Sequence, residues 1–136
     1  MPPPPTRQEW LSNTYYKLLL IDFDQDELVE LLSYQDEIVA CAMELYHRKE
    51  ETTGIPRPYS HWFLASLTLA MKTILQYDMY HPQNISVAMR EVFGDIGLTP
   101  RKLMRMELEL LVASDFIPCR NSPSVRLRSL SPRHSV

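Results

Sequence analysis

Two charged residues lie where the hydrophobic pattern would place apolar side chains. Lys72 comes directly after a mainly apolar stretch that ends at Met71, and Glu107 lies on the apolar stripe that Leu103 and Leu110 define. Burying a single charge without a partner is costly, so a lysine and a glutamate on two packed helices would face each other or a shared partner. Alternatively, Lys72 extends to solvent and Glu107 lies at the edge of its stripe. The spacing leaves both interpretations open.

The other residues that could do chemistry form no such arrangement. The four histidines do not occur at ligand spacing with each other or with a cysteine, so no metal site is predicted; they are His47, His61, His81 and His134. Cys41 and Cys119 are not in a Cys-x-x-Cys pair, and we predict two free thiols in a reducing compartment, with Cys41 in the core. The three glycines form no phosphate-binding loop. We therefore expect no enzyme, no cofactor and no small-molecule substrate.

Amphipathic helices would have to position the two charges. Apolar spacing predicts one helix over residues 6–21, a short helical turn around residues 25–32, and another helix after Ser33, which with Asp36 resembles a capping box. The glycine and prolines of residues 48–58 would end that helix.

The stretch from residue 59 to 76 is apolar on every side of a helix, which predicts the central helix of a bundle. A shorter helix is expected around residues 85–92. Thr99 and Pro100 then form a strong helix start, an N-cap acceptor followed by proline, for a last helix ending near residue 114.

Composition sets limits on the class of protein. A hydrophobic fraction of 45% in 136 residues supports one packed domain, and the scarcity of glycine favours an all-α fold. The longest aliphatic run is far shorter than a bilayer span, so we expect no membrane association. Residues 120–136 hold four arginines and no acidic residue, which leaves a charge of −7 on residues 1–119 out of a net −3. An acidic body argues against nucleic acid as a partner.

The two ends of the chain have the composition of unstructured segments. Residues 1–5 are a proline-rich leader, residues 6–33 are predicted as an N-terminal helical segment, and residues 119–136 form an Arg/Ser/Pro tail that is expected to be disordered. The tail contains Ser122-Pro123 and Ser131-Pro132, which match the acceptor sites of proline-directed kinases. Ser122 and Ser131 are therefore candidate phosphorylation sites, although such dipeptides also occur by chance.

From Trp62 to Pro118 the sequence resembles the cyclin box, and within it the short single-box cyclins related to the yeast phosphate-signalling cyclins. Residues 63–72, ending in Ala70-Met71-Lys72, are similar to the third helix of that family. The other matching positions are Asp78, Tyr80 and Asn84 after that helix, and Met106-Glu107, Leu110-Leu111 and Asp115-Phe116 in the fifth.

This resemblance implies a fold and a function. Residues 34–118 would form a single five-helix cyclin-like box, and the chain would bind and activate a cyclin-dependent protein kinase in the cytoplasm or nucleus. In the family, the lysine and glutamate matching Lys72 and Glu107 hold the regulatory helix of the kinase, so these two are the expected partner-binding residues. An alternative is a cyclin-fold adaptor that binds another protein without activating a kinase. A small helical enzyme is a third alternative, which no motif supports.

Overall fold

The computed structural model describes residues 6–22, 25–75, 90–91 and 94–130. Within these residues the fold is all-α, as the composition predicts, and six helices are labelled here in chain order. They are α1 (Arg7–Asp22), α2 (Gln25–Ser33), α3 (Gln35–Thr52), α4 (Tyr59–Leu75), α5 (Pro100–Ala113) and α6 (Pro123–Leu130).

Helix α4 is the centre of the bundle, as its sequence predicts. It packs against α3, α5, α1 and α6, and it is buried on almost every side. Its polar residue Thr68 donates its hydroxyl to the Ala65 carbonyl oxygen at 3.1 Å, which allows a threonine to be buried without losing a hydrogen bond. The core is therefore built around one nearly apolar helix.

Helices α1 and α3 complete the core around α4. Tyr15 of α1 is fully buried and donates its hydroxyl to the carbonyl oxygen of Leu31 in α2 at 2.7 Å. Because burial disfavours the phenolate, the pKa of Tyr15 is well above its usual range. This hydrogen bond fixes α2 against the N-terminal helix.

The helix ends follow the sequence in two of three cases. Thr99 accepts a hydrogen bond from the Lys102 amide at 3.2 Å, with Pro100 at the first helical position, which confirms the predicted start of α5. At the end of α3, Gly54 adopts φ +80° and donates its amide to the Lys49 carbonyl oxygen at 3.0 Å. The predicted capping box is wrong: α3 begins after Tyr34 without a side-chain cap, and the Ser33 hydroxyl donates to the Glu30 carbonyl oxygen instead.

The expectation of a disordered tail from residue 119 is wrong for residues 119–130. Cys119 and Ser122 are buried, and α6 begins at Pro123. Local composition failed here because tertiary contacts to α3 hold the segment. Residues 131–136 lie outside the described part of the chain.

The prediction of two free thiols is also wrong, since Cys41 of α3 and Cys119 form a disulfide. The two cysteines are separated by 78 residues in sequence, and their Cα atoms lie 4.9 Å apart. Such a pairing cannot be deduced from the spacing of two cysteines in a sequence.

Several sequence predictions fall outside the described residues. These are the leader over residues 1–5, most of the helix expected around residues 85–92, of which only Arg90 and Glu91 are described as helical, and the positions Asp78, Tyr80 and Asn84. Among the helices that are described, none combines the length and the apolar character that crossing a bilayer requires.

Candidate functional site

The candidate site lies where α4 and α5 pack together. Lys72 is in the last turn of α4, and Glu107 lies on the buried stripe of α5 with Leu103, Met106 and Leu110. That stripe packs against the core, so it carries Glu107 with it to the contact between the two helices. The apolar pattern of each helix thus determines where its charge is placed.

Lys72 and Glu107 face each other, which is the first of the two arrangements that the sequence left open. The Lys72 ammonium donates to Oε1 of Glu107 at 2.8 Å and to Oε2 at 3.0 Å. The Glu107 side chain is only 7% exposed, whereas that of Lys72 is 26% exposed. The pair therefore lies at the rim of the helix packing, with its lysine toward solvent.

Burial makes Glu107 an unusual carboxylate. Desolvation raises its pKa above the ordinary value of 4.5, and the hydrogen bond and charge of Lys72 partly offset that rise. The lysine compensates for the cost of burying the carboxylate, but it keeps donor capacity because an ammonium carries three N–H groups. A partner could therefore accept a hydrogen bond from Lys72 without breaking the pair.

The pair borders an open groove along α5. Its other lining residues are Leu69, Arg101, Met104, Arg105, Leu108 and Leu111. Met104 and Leu108 are 56% and 54% exposed, and Val112 continues the same helical stripe at 54%. Exposed apolar residues that adjoin in this way mark an interaction surface more often than isolated ones do.

Arginines flank the groove. Arg101 and Arg105 are both exposed and lie one helical turn apart on α5, beside the apolar stripe. An amphipathic helix with apolar anchors and an acidic flank would match this surface in both shape and charge.

A second buried lysine was not predicted. Lys49 of α3 is 4% exposed, lies 5.0 Å from the ring centroid of Trp62, and donates to the hydroxyl of Thr53. Its ammonium is 3.9 Å from Glu109 of α5. The signal was present in the sequence, because Lys49 continues the buried stripe of Ile38, Ala42 and Leu45 at helical spacing.

The remaining candidate residues are placed apart from this site. Ser122 lies in the ordered C-terminal segment, where it is 6% exposed, and Ser131 is outside the described residues. His47 is exposed beside Glu50 and Glu51, while His61 is buried at the start of α4. Among the described residues, no three histidine, cysteine, aspartate or glutamate side chains converge as metal ligands would.

Comparisons with protein families, with curated proteins and with solved structures found no match to this chain.

Proposed function

We propose that the chain is a regulatory subunit that binds and activates a cyclin-dependent protein kinase through a single cyclin-like box over residues 34–118. The observation that carries this proposal is the Lys72–Glu107 ion pair at the rim of the α5 groove. The resemblance of the sequence to the cyclin box gives the pair its proposed role.

The mechanism would be a shift in the conformational population of the kinase. A protein kinase is active only when its regulatory helix is docked and its catalytic lysine–glutamate pair can form. A partner that binds the docked conformation more tightly than the undocked one shifts the equilibrium toward it. Lys72 would donate to the kinase backbone, and Glu107 would hold the lysine in place.

The groove supplies the area that two charges alone cannot. Met104 and Leu108 would contact the apolar face of the regulatory helix, and Arg105 would pair with its acidic flank. Surface ion pairs contribute little on their own, so the apolar contacts would provide most of the affinity and the charges the orientation.

The proposed location is the cytoplasm or nucleus, where such kinases act. The disulfide between Cys41 and Cys119 removes the argument from free thiols, so this location rests on the kinase partner alone.

The test uses purified cyclin-dependent kinases without their cyclins. The immobilised full-length chain is incubated with each kinase, and both retention of the kinase and phosphorylation of a histone substrate are measured. We expect the wild type to bind and activate one of them, and Lys72→Ala/Glu107→Ala to do neither. The matched control is Glu9→Ala/Lys17→Ala, which removes one acid and one base that are exposed on α1.

The same experiment separates the adaptor alternative. Retention of a kinase without phosphorylation of the histone would identify an adaptor. A wild-type chain that retains none of the kinases would contradict the proposal.

A further inference from the structure

The segment of residues 119–124, which we call the strap, crosses one face of α3. Three α3 residues spaced four and three apart hold it, and such spacing places them on the same helical face. Cys41 forms the disulfide with Cys119, Glu44 accepts a hydrogen bond from the Asn121 amide at 3.3 Å, and Glu37 accepts from the end of the strap. The strap therefore has one covalent and two polar attachments.

Glu37 is the attachment nearest to α6. Its Oε1 accepts from the backbone amide of Ser124 at 2.7 Å and from the hydroxyl of Ser122, and its Oε2 accepts from the Ser124 hydroxyl at 2.9 Å. A carboxylate in this position also interacts favourably with the N-terminal end of α6. Glu37 thus fixes both serines at once.

Ser122 precedes Pro123, which is the local sequence that a proline-directed kinase requires. In the strapped state Ser122 is only 6% exposed, and its hydroxyl is donated to a carboxylate. A phosphoryl group would place a charge of about −2 directly against Glu37, which electrostatic repulsion opposes. A kinase can therefore reach this hydroxyl only after the strap has left α3.

We propose that Ser122 is a phosphorylation site whose accessibility is controlled by the Cys41–Cys119 disulfide. With the disulfide intact, the strap remains on α3 and Ser122 is protected. When a dithiol reductant gives two electrons and two protons to the disulfide, two protein thiols form, the reductant becomes a disulfide, and only polar contacts retain the strap. This inference does not depend on the function proposed above.

The phosphoryl transfer makes the release persistent. The Ser122 oxygen attacks the γ-phosphorus of ATP, ADP departs, and the hydroxyl proton passes to the base of the kinase. The phosphoserine then repels Glu37, so the strap cannot return to its former contacts.

The experiment measures phosphate at Ser122 by mass spectrometry. The full-length chain, either oxidised or treated with dithiothreitol, is incubated with ATP and an active proline-directed kinase that carries its own activator. We expect incorporation at Ser122 to be at least about tenfold faster in the reduced chain, because the tether is gone. The Cys41→Ser/Cys119→Ser variant should be modified at the fast rate with or without reductant.

Two controls keep this result specific. A peptide of residues 118–127 reports whether the reductant changes the kinase itself. Hydrogen exchange reports where the chain opens, and we expect the amides of residues 119–126 to lose protection on reduction while those of α4 keep theirs.

Equal rates at Ser122 in the oxidised and reduced chains would overturn the proposal. So would an unmodified Ser122 in the reduced chain when the peptide is modified, or a loss of protection in α4 on reduction, since the opening would then not be local.

Discussion

Lys72 on α4 and Glu107 on α5 are 35 residues apart in sequence, yet the lysine ammonium contacts both oxygens of the carboxylate, at 2.8 and 3.0 Å. The two members of the pair differ in exposure, since the carboxylate is buried and the lysine reaches the surface. The pair is therefore asymmetric: Glu107 orients, and Lys72 is the group that another molecule can contact.

Glu107→Gln tests the cost of burying this carboxylate. A carboxyl group whose pKa is raised in the folded state stabilises the fold most below its usual value of 4.5, and that contribution is lost as pH rises through the folded pKa. The free energy of unfolding of the wild type should therefore fall relative to that of Glu107→Gln as pH rises from 4 to 8. Urea unfolding of both chains measures this difference.

Glu109→Gln is the control for that series, since Glu109 is on the same helix but half exposed. A difference between wild type and Glu107→Gln that does not vary with pH, or that varies in the opposite direction, would contradict the assignment.

Lys49→Ala should lower the free energy of unfolding by about 1–3 kcal/mol. The substitution removes a buried side chain that packs on Trp62 and leaves the Thr53 hydroxyl without its donor. Lys49→Met keeps the aliphatic stem and should cost less. Urea unfolding measures both, and Lys17→Ala on the exposed face of α1 should change stability by less than about 0.5 kcal/mol.

Reduction of the disulfide should release two thiols and lower the free energy of unfolding by about 2–4 kcal/mol, because the bond closes a long loop of chain. Thiol titration of the denatured protein with and without reductant counts the thiols, and thermal unfolding follows stability. The Cys41→Ser/Cys119→Ser chain should not respond to reductant. Two thiols in the untreated wild-type protein would show that the disulfide is absent.

His61 should make the fold less stable in acid. Burial, together with the nearby charge of Lys102, lowers its pKa below 6.5, and its Nδ1 has no hydrogen-bond partner among the described residues. Because the neutral ring is favoured in the fold, its contribution is complete above the usual pKa and is lost as pH falls from 6.5 through the folded pKa.

The measurement for His61 is the unfolding free energy between pH 7.5 and pH 5 in the wild type and in His61→Asn. The variant should lose this part of the pH dependence, whatever its stability at neutral pH. An unchanged slope would show that His61 is not the titrating group.

The sequence predicted most of the fold because its helices have strong local signals. The apolar stretch of α4 required a central position, and Thr99-Pro100 marked the start of α5. Interruptions of apolar stripes also identified Lys72 and Glu107. The same reasoning applied to α3 would have identified Lys49, which occupies a stripe position at the end of that helix.

What the sequence could not predict depends on contacts between distant residues. Cys41 and Cys119 are brought together by the fold, and nothing near either cysteine indicates the pairing. The Arg/Ser/Pro composition after residue 118 is typical of disorder, yet the disulfide and Glu37 hold the strap in place. The partner of the α5 groove likewise depends on a second molecule.

The most direct test of the central claim exchanges the two charges. Lys72→Glu/Glu107→Lys retains an ion pair between α4 and α5 but presents a carboxylate where the wild type presents an ammonium. Urea unfolding first establishes that the exchanged chain is folded, and kinase affinity and histone phosphorylation are then compared with wild type. If the pair recognises the kinase, affinity should fall by about a hundredfold and activation should be lost, since a charged hydrogen bond would be replaced by repulsion. A folded, charge-exchanged chain that activates the kinase as well as wild type does would show that the pair only holds the helices together, and would contradict the account.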